Sequence, residues 1–187
     1  MIEGGTALRR ILAFLVVIMM VVPVVSSGQP EKPEKADVVL KAALQQAAEA
    51  NKTVLLIFHA SWCGWCRRLD AVLENPAIKK IMNEHYVMTH LDVSESGVKK
   101  TLENPGGNEM MGTYGGATSG LPFYAFLTSD GKKMADSNVM PKDQNIGYPG
   151  SPDEIAAFET LLKQTAPRMT DEQRGQIVAY LHKNAPH

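Results

Sequence analysis

The chain has 187 residues, 44% hydrophobic and 21% charged, with 19 Lys+Arg against 20 Asp+Glu and a formal net charge of -1. This fits one globular domain and excludes a disordered chain and a polytopic membrane protein. The balanced charge offers no basic field for nucleic acid. With two cysteines, a multi-disulfide scaffold is excluded too.

Arg9 and Arg10 precede an apolar run, Ile11 to Val25, followed by Ser26, Ser27 and Gly28. A basic flank, an apolar stretch and small residues read as a secretory signal, or as an uncleaved N-terminal anchor, over residues 1–27. The run is shorter than the ~20 residues that span a bilayer. The expected location is therefore outside the cytosol, periplasmic or secreted, with membrane contact only through a retained N-terminus. Residues 28–36 carry Pro30 and Pro33 among charges and read as a linker, leaving 37–187 as the domain. Without residues 1–27 the net charge is -2.

Asp37 is placed to cap a helix running to Ala50. Thr53 to His59 contains the apolar run Val54-Leu55-Leu56-Ile57-Phe58, which predicts a strand buried on both faces. A turn at Ala60-Ser61-Trp62 leads into a helix with Cys66, Leu69, Val72 and Leu73 at helical spacing. Asn75-Pro76 starts another helix, to about Met82, and Tyr86 to Val93 is the next strand. Ser94 to Gly120 holds seven glycines; it predicts two short helices, Val98–Glu103 and Glu109–Tyr114, joined by mobile loops. Pro122–Thr128 and Lys132–Ser137 form a hairpin across Ser129-Asp130-Gly131. Ser151-Pro152-Asp153-Glu154 and Thr170-Asp171-Glu172-Gln173 are capping boxes for two final helices, the second reaching Lys183. Strands alternating with helices, then a hairpin, predict an α/β fold: a mixed central sheet with helices on both faces.

Both cysteines lie in Trp62-Cys63-Gly64-Trp65-Cys66, at a strand-to-helix junction. At a helix N-terminus the Cys63 sulfur meets free N–H groups and the positive end of the helix dipole, which favour thiolate. Cys66, one turn on, is expected to face inward and be the less exposed of the two. The pair suits two-step exchange: Cys63 attacks a partner disulfide and Cys66 resolves the mixed disulfide. An inert crosslink is disfavoured because so short a loop gains little entropy. A zinc site needs two further ligands. His85 and His90, read as five residues apart on one strand, face opposite ways. No metal site and no cofactor are therefore assigned. The rival readings are a binding module without turnover, and copper or zinc handling through the same cysteines.

The stretch Phe58-His59-Ala60-Ser61-Trp62-Cys63-Gly64-Trp65-Cys66 resembles the active-site strand and turn of the thioredoxin superfamily, in particular its exported Trp-Cys-Gly-Trp-Cys branch. Leu121-Pro122-Phe123 is similar to that family's cis-proline segment. The resemblance covers Asp37 to Thr165 and implies a three-layer thioredoxin-like fold, with the last helix as an addition. It implies a thiol–disulfide oxidoreductase with Cys63 as nucleophile, Cys66 as resolving residue and Pro122 in cis. Leu121 and Pro122 would offer a strand edge to an extended substrate, flanked by Trp62, Gly64 and Trp65; packing is the alternative for both tryptophans. Implied partners are protein disulfides or dithiols and a membrane thiol-redox protein. Ile57 stands where thioredoxins bury an acid, and His59 replaces a tryptophan, either as a proton shuttle near Cys66 or as a packed histidine.

Overall fold

A computed structural model describes residues 32–186, so the N-terminal signal or anchor and part of the linker lie outside it. The elements are α1 (Ala36–Ala50), β1 (Thr53–His59), α2 (Gly64–Leu73), α3 (Pro76–His85) and β2 (Tyr86–Asp92). A 3-10 helix (Gly97–Leu102), α4 (Gly107–Thr113), β3 (Phe123–Leu127), β4 (Lys133–Asp136), α5 (Pro152–Thr165) and α6 (Asp171–Lys183) complete the chain. Lys35, not Asp37, is the N-cap of α1; Asp37 sits in the first turn, where its carboxylate accepts the Val38 N–H.

The sheet runs β2-β1-β3-β4, with β1 parallel to β2 and antiparallel to β3, and β3 antiparallel to β4. The apolar run of β1 is buried throughout because the central strand is covered on both faces. Leu55 and Ile57 pack with Tyr124 and Phe126 against α2, α3, α5 and α6, while Val54, Leu56 and Phe58 pack with Phe123 and Ala125 against α1 and Met111. The result is the expected three-layer α/β fold. Small residues on α1, Ala43 and Ala47, let that helix lie close to the sheet.

Two local features differ from expectation, in α3 and in the 94–120 segment. Helix α3 runs on to His85, where the imidazole sits in a last turn whose dipole favours it; His85 is therefore not on β2. The 94–120 segment is not a set of loose loops. Asn104 exchanges hydrogen bonds with the backbone of Asp92, Asn108 accepts from Ser94, and Glu103 accepts the Glu95 N–H at 2.8 Å. Side-chain amides and carboxylates thus satisfy a backbone that has no ladder. Helix α6 packs on the domain as its amphipathic pattern predicts: Ile177 and Leu181 are fully buried in the core.

Candidate active site

Backbone direction changes sharply after β1. Cys63 is the N-cap of α2, and its Sγ accepts the Cys66 N–H at 3.1 Å. The sulfur therefore occupies the place a serine or aspartate oxygen takes at other helix starts. Cys63 and Cys66 are joined in a disulfide with Cα atoms 5.3 Å apart. The expected difference in exposure is absent: the cysteines are 3% and 2% exposed, because both pack with Ala60 under Leu121. Around them the surface is apolar. Trp62 and Trp65 are 55% and 50% exposed.

Each tryptophan is nevertheless held. Trp62 donates its indole N–H to the Ser94 carbonyl at 2.9 Å. Trp65 stacks on Tyr148 with ring centroids 5.9 Å apart, and the Arg68 guanidinium lies over the Trp65 ring at 5.2 Å from its centroid. Arg67 donates to the Ser61 carbonyl at 3.0 Å, so both arginines brace the motif. Exposed Gly64 opens α2 between the cysteines.

The Leu121–Pro122 bond is cis and leads directly into β3. A cleft of about 980 Å³ starts at Trp65 and Leu121 and continues past Gly120, Asn145, Tyr148 and Pro186. Asn145 closes its floor by donating to the Gly120 and Pro122 carbonyls at 2.8 and 2.9 Å.

Two groups of charged side chains surround the turn. Glu95 is buried, and its carboxylate accepts both the backbone N–H and the hydroxyl of Ser61. On α2, Asp70 lies one turn beyond Cys66. Its Oδ2 is 3.7 Å from His59 Nδ1 and its Oδ1 is 3.1 Å from His90 Nε2. His59 Nε2 is in turn 3.3 Å from Asp92 Oδ1. Burial opposes a charge on His59, but the hydrogen bond to Asp70 and the charges of Asp92, Asp70 and Glu95 outweigh it and raise its pKa. Burial would also raise the Asp70 pKa; hydrogen bonds from His59 and His90, with their charges, instead hold it well below the usual carboxylate range.

Residues 36–129 match the thioredoxin-like family. The chain belongs to that family. Among relatives of this thioredoxin-like chain, the Protein disulfide-isomerase of Triticum aestivum is 29% identical over 123 residues, 66% of this chain and 20% of that protein. Protein disulfide-isomerase tigA of Aspergillus niger is 26% identical over 168 residues, 90% of this chain and 40% of that protein. The chain spans about a fifth of the length of the plant relatives it matches. A solved disulphide isomerase from Xylella fastidiosa Temecula1 superposes over 83% of this chain and 98% of its own, with 21% identity and a TM-score of 0.49.

Within this thioredoxin-like frame, the structure brings Cys63, Cys66, Leu121 and Pro122 together at one end of the sheet, with Trp62, Gly64 and Trp65 at the rim. Ile57 is buried in the core and carries no acid to the cysteines. His59 is engaged by two carboxylates rather than held by one packed hydrogen bond. No sequence pattern marked Glu95, Asp92 or Tyr148, and the histidine beside His90 is His59, with ring centroids 4.9 Å apart, not His85. The usable signal was the parallel pairing of β1 and β2, which sets His59 beside Asp92 and Ile57 beside His90 at the C-terminal strand ends. That is where open α/β sheets collect functional residues.

Proposed function

We propose that the protein is an exported thiol–disulfide oxidoreductase that exchanges disulfides with protein substrates through Cys63 and Cys66. The observation that carries the reading is the disulfide across the N-terminus of α2, packed under the residue that precedes a cis-proline. In the reduced form the Cys63 thiolate attacks one sulfur of a substrate disulfide. The Cys63–substrate S–S bond forms and the other substrate sulfur leaves as a thiolate. The Cys66 thiolate then attacks Cys63 Sγ, the mixed disulfide breaks, and the substrate departs with two thiols while the Cys63–Cys66 bond closes. Run backwards, the same steps oxidise a substrate dithiol; the direction follows the potential of the pair relative to its partner.

The family supports this chemistry, as do relatives that are protein disulfide-isomerases. The cleft beyond Trp65 and Leu121 supports an extended polypeptide as the substrate, lying along the cis-proline edge with Trp62 and Trp65 as its apolar landing surface. Export is supported by Arg9-Arg10 and the apolar run that follows, and by the persistence of disulfides outside the cytosol. A membrane thiol-redox protein is the fitting source of electrons for a reductant in that compartment.

The test is reduction of insulin by dithiothreitol. The wild type should accelerate precipitation, Cys63→Ser should return the rate to that of dithiothreitol alone, and Cys66→Ser should accumulate a mixed disulfide visible on a non-reducing gel. Equal rates with and without the wild-type protein would reject the reading.

A further inference from the structure

We propose that His59, Asp70 and His90 form a binding site for a divalent transition-metal ion of the zinc type, separate from the cysteine pair. One nitrogen of each imidazole and one oxygen of the carboxylate all lie within 4.8 Å of one another. The two nitrogens approach the same carboxylate from either side, at 3.7 and 3.1 Å. Tetrahedral zinc with bonds of ~2.1 Å sets its donors about 3.4 Å apart. The two nitrogen–oxygen distances, each to a different oxygen of Asp70, lie near that value, and one donor from each residue falls within 4.8 Å of the others. These side chains are 23%, 34% and 35% exposed, so a small rotation can close the set, and water can complete the coordination.

Three further observations favour a cation here. His59 presents Nδ1 to the site and its other nitrogen, Nε2, to Asp92 at 3.3 Å. Metal-bound histidines usually donate their second N–H to such a carboxylate, which fixes the tautomer and the ring plane. The donors come from β1, α2 and β2, which hold them on packed elements rather than on a loop. Finally, among the described residues neither Asp70 nor Asp92 pairs with a lysine or arginine. Two carboxylates therefore share only imidazoles, and a divalent ion would supply positive charge to them in place of a proton. Two nitrogens and one oxygen suit zinc-like ions, whereas calcium and magnesium prefer all-oxygen sites.

The test uses the full chain with its disulfide closed, so that no thiolate competes and the outcome is independent of whether the cysteines turn over. Calorimetric titration with Zn²⁺ should show one equivalent bound. His90→Gln and Asp70→Asn should each weaken binding at least tenfold, and Asp92→Asn by about 10–100-fold. Far-UV circular dichroism of each variant checks that it is folded. A measurement on the wild type needs no variant: in nitrogen NMR, Zn²⁺ should move His59 Nδ1 and His90 Nε2. No saturable binding up to about 1 mM Zn²⁺ would overturn the proposal. So would unchanged affinity in folded His90→Gln, or nitrogen shifts confined to the other histidines.

Discussion

Glu95 shows how much of the motif's geometry depends on one side chain far along the sequence. It is a buried carboxylate, 5% exposed, and both of its oxygens face Ser61, two residues before Cys63. Lys99 adds a bond to the same Ser61 hydroxyl at 3.1 Å. A hydrogen bond to a charged group contributes about 1.5–3 kcal/mol, and a buried N–H left without an acceptor costs a comparable amount. Glu95→Ala should therefore lower the unfolding free energy in urea by about 1.5–3 kcal/mol. Glu95→Gln keeps one acceptor oxygen for the Ser61 N–H and should lose roughly half as much. A loss below about 0.5 kcal/mol for the alanine variant would mean that water replaces the carboxylate there.

Elements differ in how openly the sequence announces them. Strand β1 was legible to the residue, because a continuous apolar run on a central strand leaves no choice of face. Both capping boxes were legible because side chain and backbone satisfy each other within four residues. The 94–120 segment was legible only as two short helical turns, since its order comes from contacts with β1, β2 and β3 that have no sequence period. The cysteine pair and Pro122 could be read from a motif. The His59–Asp70–His90 cluster could not, because it exists only once β1 and β2 are paired in parallel and α2 is laid across them. Gly116 tests the packing of that segment. A Cβ there would lie 2.6 Å from Phe123 Cδ1 and 2.7 Å from Met111 Cγ. Phe123 is fully buried in the packed core and has nowhere to move. Gly116→Ala should cost about 1–3 kcal/mol by overpacking, seen as a lower urea midpoint with an unchanged slope. An unchanged midpoint would show that the segment yields freely at β3.

At the scale of the whole molecule, the region matching the family ends before the core does. The match stops at residue 129, whereas α5 and α6 contribute Ile155, Phe158, Leu161, Leu162, Ile177 and Leu181 to the face that covers Tyr124 and Phe126. Helix α6 is also tied to α3, where His85 meets Gln173 at 3.1 Å and Gln173 donates to Glu84 at 2.7 Å. Near the C-terminal end, Tyr148 in the cleft wall donates to the Asn184 carbonyl at 3.2 Å. The last helix thus joins the core and the candidate substrate cleft, so its loss should be felt in both. Leu181→Ala removes a fully buried side chain and should cost about 2–5 kcal/mol. Because α6 shares one apolar cluster with the sheet, circular dichroism and tryptophan fluorescence should report a single coincident transition at a lower urea concentration. Were α6 only an accessory docking helix, the main transition would keep its midpoint and a separate early change would appear. Truncation after Ser129 is the stronger form of the same test: it exposes the Tyr124 and Phe126 face to water, and that fragment should show no cooperative transition at all.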